Sequence, residues 1–355
     1  MTTTAPLPSP NPDTSPTPGS APSPNLFLPP QTNLIVVLGA TATGKTALGV
    51  QLARHFNGEI ISADSRQVYR GMDIGTGKDL KEYGEIPYHG IDVVEPGDEF
   101  SLFDFQTLFG QAFQEIQSRQ KLPILVGGTG LYLEAVLLDY HLPRAPKNQA
   151  LREELAPLDL TILQNRLKRA RPTQHNTTDL IDRERLIRAI EIAEANAPPP
   201  PQTHPTPPLK PLVLGIRFER TQLRKRITQR LKARMQEGFI EEVARLHQEG
   251  VSFKTLEAFG LEYRFAALHL QGQLNRNDMF QKLNSAIHQF AKRQETWFRR
   301  MEKRGIVIHW LPGDGEPFEA CLEFLNVETH TAETKHFTRN QAIREHGPQA
   351  FWDTP

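Results

Sequence analysis

Gly39-Ala-Thr-Ala-Thr-Gly44-Lys45-Thr46 has the form G-x-x-x-x-G-K-[ST]. Glycines at its two ends let the backbone turn until successive N–H groups point inward, where they donate to phosphate oxygens. Lys45 adds a full positive charge, and the Thr46 hydroxyl can ligate Mg²⁺. Gly39, Ala40, Thr41, Ala42, Thr43, Gly44, Lys45 and Thr46 are therefore candidate residues for a di- or triphosphate, and Thr46 is the candidate metal position. A glycine-rich turn of no consequence is the competing reading. The context disfavours it, because a β-rich apolar run, Asn33 to Leu38, precedes the motif and a helical stretch, Thr46 to His55, follows it.

A second chemical group follows at Ser62-Ala-Asp64-Ser65-Arg66-Gln67. Proteins that hydrolyse a nucleoside triphosphate on such a loop hold Mg²⁺ with an acid at the end of another buried strand. Here Pro123-Ile-Leu-Val126 runs instead into Gly127-Gly-Thr-Gly130 with no carboxylate, and the acid lies after the second strand, at Asp64. In an open α/β sheet that end of the strand faces the ligand cleft. Asp64 is thus a candidate general base for an attacking nucleophile, with a structural Asp capping the next turn as the alternative. Gly127-Gly-Thr-Gly130 likewise has two readings, a tight turn into a helix or a close backbone approach to ligand.

Positioning these groups requires a sheet. Five strands are expected, at Asn33–Leu38, Glu59–Ala63, Leu122–Val126, Leu212–Phe218 and Gly305–Trp310, with helices between most of them. That alternation predicts an α/β fold, a P-loop NTPase-like core whose mostly parallel sheet is flanked by helices. Residues 141–197 show only helix-period patterns, at 150–155, 159–169 and 182–194, and read as an all-helical insertion. Prolines mark the remaining seams: ten of the 29 lie in residues 1–30 and eight in 198–211. The expected organisation is a disordered tail at 1–30, core at 31–140, insertion at 141–197, linker at 198–211, core again at 212–317 and an extension at 318–355.

Composition removes several classes. One cysteine, Cys321, excludes a disulfide framework and a cysteine-based zinc site, and suits a reducing cytoplasm. No apolar run approaches the ~20 residues of a membrane helix. The 41 basic and 41 acidic residues cancel, which would argue against a polyanion partner if they were mixed. They are segregated. Residues 72–105 hold nine acids against two lysines, whereas 162–188, 217–234 and 291–304 hold seven, eight and six bases against three, one and two acids. Any one run is a solvated helix face by default, but three of them favour a polyanion. Arg226 and Arg230 are four apart, so they share a helix face able to reach a phosphate.

Together with Gly71-Met-Asp-Ile-Gly-Thr76, Val126-Gly-Gly-Thr-Gly-Leu-Tyr132, Arg185-Leu-Ile-Arg-Ala-Ile190 and Ala291-Lys-Arg-Gln-Glu-Thr-Trp297, these motifs resemble those of the bacterial tRNA dimethylallyltransferases, in order from about Leu34 to Trp310. The resemblance implies transfer of a dimethylallyl group from dimethylallyl diphosphate to N6 of the adenosine just 3′ of the anticodon, with Mg²⁺ and without hydrolysis of ATP. It also implies roles. Asp64 would be the general base, Thr41 and Lys45 diphosphate contacts, Thr46 the Mg²⁺ position and Arg230 the arginine that steadies the departing diphosphate. Thr129 would lie near the flipped adenosine. Contacts to tRNA would come from Asp64, Ser65, Arg66, Gln67, Arg152, Glu184, Arg185, Leu186, Ile187, Arg188 and the segment around Lys292–Trp297, with Lys292 and Arg293 foremost. One departure stands out. Many members carry a shorter Gly-Tyr-Arg where this chain has Glu257-Ala-Phe-Gly-Leu-Glu-Tyr-Arg264, so Gly260, Tyr263 and Arg264 are candidates for those roles in altered spacing.

A small-molecule kinase would also place an acid after strand two, and a related enzyme class prenylates free adenine nucleotides. Three basic helices favour tRNA over both small acceptors, and the intact Lys45, Thr46 and Asp64 argue against a binding protein without chemistry. A monomer acting in the cytoplasm is the expectation.

Overall fold

The computed structural model describes residues 28–29, 31–140, 145, 147–170, 180–195 and 208–326. The proline tail, most of the 198–211 linker, Arg171 and the extension beyond 326 lie outside the described residues. Residues 31–321 form one compact unit, and the architecture below is that unit's.

Six parallel strands make its sheet: β1 (Leu34–Gly39), β2 (Gly58–Ala63), β3 (Tyr88–His89), β4 (Leu122–Gly127), β5 (Pro211–Arg217) and β6 (His309–Pro312). Their order is β3-β2-β4-β1-β5-β6. Every residue of β1 and β2 is buried, the pattern of strands covered on both faces. β1 pairs with β4 through Ile35 opposite Ile124 and with β5 through Ile35 opposite Leu212. Because β4 lies between β1 and β2, the loops after all three open side by side at the carboxyl edge.

The helices are α1 (Lys45–His55), α2 (Leu102–Ser118), α3 (Gly130–Leu137), α4 (Gln149–Leu155), α5 (Leu160–Ala170), α6 (Arg183–Glu194), α7 (Arg220–Gln236), α8 (Phe239–Gln248), α9 (Phe253–Ala258), α10 (Leu261–Leu270) and α11 (Arg276–Lys303). Capping chemistry sets several starts. Ser101 and Asp104 form a capping box for α2, while Asp182 and Asn275 accept backbone N–H bonds at the heads of α6 and α11. α11 has 28 residues, about 42 Å at helical rise. Its first half packs with α7 to α10 in a cluster that includes Leu223, Ile227, Phe239, Tyr263 and Leu283. The second half contributes Phe298 and Met301 to the cluster under the sheet, with Leu34, Val36, Phe105 and Phe113. α11 thereby ties the basic helices to the sheet. A third cluster, Leu155, Leu163, Leu167, Leu186 and Ile190, belongs to α4, α5 and α6 alone.

Two expectations need correction. The last strand begins at His309 rather than Gly305, because Gly305 and Ile306 donate back to Glu302 and Met301 and close the end of α11. β3 escapes the sequence reading, since two residues carry no periodicity. No strand occurs among the described residues of 141–197, and the helix expected from 318 begins at 317.

Candidate active site

The loop after β1 is shaped by its own carbonyls. Thr43 Oγ1 donates to Ala40 O at 2.9 Å and Lys45 Nζ to the same oxygen at 3.0 Å. Arg226 Nε, from α7, donates to Ala42 O at 2.9 Å. With these carbonyls held, the loop amides other than that of Thr41, which donates to Gln294 Oε1, are left to face the cradle. Gly44 sits at φ 86°, in the left-handed region that glycine adopts without strain. Thr46 follows in the first turn of α1. Thr107, Thr228 and Thr296 each donate to the carbonyl four residues back, whereas no protein group among the described residues engages the Thr46 hydroxyl. That hydroxyl fits a magnesium ligand.

Lys45 has its pKa lowered to about 8, by burial first and then by Arg230 and Arg234, against the opposing pull of Asp64. Lys45 is therefore within electrostatic reach of Arg230, Arg234 and Asp64. Arg230 also pairs with Asp79.

The loops after β2 and β4 are joined to each other. Ser65 N donates to Thr129 Oγ1 at 3.1 Å, and Thr129 N to Ala63 O at 3.2 Å. Asp64 uses Oδ1 to accept from Arg66 N at 2.9 Å, the turn-capping bond of its alternative reading, and no protein group among the described residues engages Oδ2. Both roles thus coexist in one side chain. A side chain at Gly128 would bring its Cβ within 2.5 Å of Gln294 Nε2 and 3.6 Å of Lys45 Cε, so the glycine turn is also a close approach to the cradle.

Other expected residues separate into surface and support. Arg66, Glu184, Arg185, Lys292 and Arg293 are exposed. Gln67 is buried, accepting from Ser62 Oγ at 2.9 Å and donating to Gly77 O at 3.1 Å, so it braces the loop rather than facing outward. Leu186 is 0% exposed in the α4–α6 cluster and Ile187 packs against it, so their side chains serve the core of these helices. Arg152 and Arg188 both bond Glu191, at 2.6 and 3.1 Å. Burial raises the Glu191 pKa, but Arg152, the Asn148 N–H and Arg188 outweigh it and hold the carboxyl at about 2.

Several residues brace the site in a way the sequence reading does not give. Gln294 accepts from Thr41 N at 2.9 Å and donates to Gly128 O at 2.9 Å, tying the phosphate loop to the glycine turn from α11. It lies inside the Ala291–Trp297 motif, directly after the two basic residues that read as RNA contacts. Glu242 accepts from the amides of Asp73, Ile74 and Gly75 and from Tyr263 Oη, all within 3.0 Å. Nothing in the α8 sequence distinguishes it from a solvated acid. Lys78, wholly buried, donates to Tyr69 O and Asp73 and pairs with Asp92.

A family model described as IPP transferase matches residues 67–301, and one described as Isopentenyl transferase matches 32–85. The tRNA dimethylallyltransferase 1 of Geotalea uraniireducens is 61% identical over 295 residues, 83% of this chain and 97% of that protein. The chain belongs to the tRNA dimethylallyltransferase family. The tRNA dimethylallyltransferase 2 of Syntrophotalea carbinolica is 60% identical over 290 residues, 82% of this chain and 97% of its own. Among solved structures, the full-length tRNA isopentenylpyrophosphate transferase of Bacillus halodurans is 31% identical with a TM-score of 0.62, covering 87% of this chain and 100% of that one. Membership in the tRNA dimethylallyltransferase family accords with a phosphate loop that lacks the strand-end acid of ATP-hydrolysing proteins. No helix of the described residues is long and apolar enough to cross a membrane.

Proposed function

We propose that the chain transfers the dimethylallyl group of dimethylallyl diphosphate to N6 of the adenosine just 3′ of the anticodon in tRNA, acting as a monomer in the cytoplasm. The observation that carries this reading is that the Asp64 loop is bonded to Thr129 through Ser65 N, and the adjoining Gly128 lies against Lys45 of the phosphate loop, which sets the acid beside the cradle. An acid beside a phosphate cradle suits a reaction that takes a proton from a neutral amine while a polyanionic group departs.

The N6 lone pair is delocalised into the adenine ring, so attack needs help at both ends. As N6 bonds to the allylic carbon, the carbon–oxygen bond breaks and its electron pair leaves with the diphosphate. Asp64 takes the N6 proton through the carboxylate oxygen not used in the turn. The amides of residues 39–46 other than that of Thr41, together with Lys45 and Arg230, take up the charge that accumulates on the diphosphate. Thr46 would hold Mg²⁺, which supplies additional charge neutralisation to the phosphoryl oxygens. The adenosine must leave its stack to reach Asp64. Thr129, bonded to the Asp64 loop, lies where the base would enter, and Arg66, Arg185, Lys292 and Arg293 offer charge to the RNA backbone.

Incubation with Mg²⁺, labelled dimethylallyl diphosphate and tRNA bearing that adenosine should place label on the tRNA. Asp64→Ala should cut transfer by about 100-fold or more while tRNA binding stays within about twofold. Label on AMP but not on tRNA would replace this reading with the free-nucleotide acceptor.

A further inference from the structure

The motifs assign one arginine of α7 to the diphosphate, and a second is packed beside it. α7 presents Arg226, Arg230 and Arg234 at four-residue spacing, hence on one face. Arg226 is committed to Ala42 O and Arg230 to Asp79. Arg234 is only 9% exposed, yet among the described residues it makes a single hydrogen bond, from Nη1 to Gly75 O at 3.3 Å. Its nearest acid, Glu262 at the head of α10, stands 3.9 Å away.

A guanidinium has five N–H donors, and enclosing them without partners is costly. The one fully enclosed, unpartnered side-chain nitrogen among the described residues is Trp297 Nε1. No Arg234 nitrogen is thus both fully enclosed and without a partner. Gly77 shows where the guanidinium points. A Cβ on that glycine would fall 1.6 Å from Arg234 Nη2 and 2.6 Å from Arg230 Nη2, so the two guanidinium groups flank one residue. They repel: burial and then Arg230 lower the Arg234 pKa. Mutually repelling cations in a poorly solvated setting are stabilised by a polyanion that contacts both.

Glu262 is the counterweight. It lies within Glu257–Arg264, where the chain departs from the shorter Gly-Tyr-Arg of many family members. It is partly buried, its pKa raised by burial against the pull of Arg234.

We propose that Arg234 is a second arginine for the donor's diphosphate, and that Glu262 is a positioning residue which holds Arg234 and moderates its charge. This rests on the reading of the cleft as a prenyl-transfer site. When the carbon–oxygen bond breaks, the electron pair passes to the diphosphate oxygen, and the spare donors of Arg234 take up part of that charge alongside Arg230.

Calorimetry with inorganic diphosphate and Mg²⁺ tests it. Arg234→Met, an apolar replacement suited to a buried position, should weaken diphosphate binding about 10-fold and lower kcat/KM for the donor at least as much, with tRNA affinity unchanged. Arg234→Lys, which keeps the charge without the fork, should recover part of the loss and guards against a folding defect in the first variant. Glu262→Gln should act in the opposite direction, tightening diphosphate binding a few-fold, and this gain should vanish in the Arg234→Met background. A purely structural pair would not give effects of opposite sign. Diphosphate affinity within about twofold of wild type in Arg234→Met, or a loss confined to tRNA affinity, overturns the proposal. Transfer to AMP rather than tRNA with these diphosphate effects intact would overturn the acceptor reading alone.

Discussion

At the scale of single residues, Lys45 carries the clearest pH signature. Its pKa is lowered to about 8 by burial and by Arg230 and Arg234. The unfolded lysine protonates near 10.4, so between about 8 and 10.4 the unfolded chain binds more protons and this group's contribution to stability rises with pH. Donor binding has the opposite dependence, since it needs the cation. We expect kcat/KM for dimethylallyl diphosphate to fall as pH rises through about 8, while kcat holds to higher pH because bound diphosphate restores the Lys45 proton. Lys45→Arg, which cannot lose its proton in this range, should abolish that fall even if its activity is lower. A profile unchanged by the substitution would assign the titration to another group. Much of this site is legible in the sequence: residues 39–46 and Asp64 follow from types and spacing. Gln294, Glu242 and Arg234 are not, because their function depends on what the chain brings opposite them. Gln294 meets Thr41 across 253 residues of sequence.

At the scale of elements, α4, α5 and α6 are held by a core of five residues rather than by the sheet. The helix-period patterns locate all three within a residue or so, because amphipathic spacing is a local property. Partners are not local. Arg166 pairs with Glu154 and Glu194, Arg152 with Glu191, and Arg183 donates to the carbonyls of Leu155, Ala156 and Leu158. A run read as a basic surface is therefore partly internal bracing. Leu186 is wholly buried in this cluster, on the helix that carries exposed Glu184 and Arg185. Leu186→Ala should cost about 2–5 kcal/mol within these helices. Because the diphosphate cradle is built on β1 and α7, we expect the variant to lose tRNA affinity while binding inorganic diphosphate as wild type does. Equal loss of both ligands in titrations below the melting transition would show that the helices and the cradle unfold together.

At the scale of the whole molecule, the balance of 41 basic and 41 acidic residues is a sum over unlike regions. Acids at 72–105 are largely committed: Asp73 and Asp92 to Lys78, Asp79 to Arg230, Glu85 to Arg54, Glu95 to Arg70, Glu99 to Lys147. The bases divide into those already paired and those, such as Lys168, Arg169, Arg185, Lys292 and Arg293, that are exposed and make no ion pair among the described residues. Only the second group can release counterions from RNA, so the salt dependence of binding counts them and not the total. tRNA affinity should fall steeply between ~50 and ~200 mM salt, and Arg185→Gln should weaken binding and reduce the logarithmic slope by about one unit. Arg166→Gln should instead lower thermal stability and leave the slope unchanged, since its charge faces Glu154 and Glu194. A flat salt response in the wild-type protein, or an equal slope change in the two variants, would sink this division of the charges into bracing and binding.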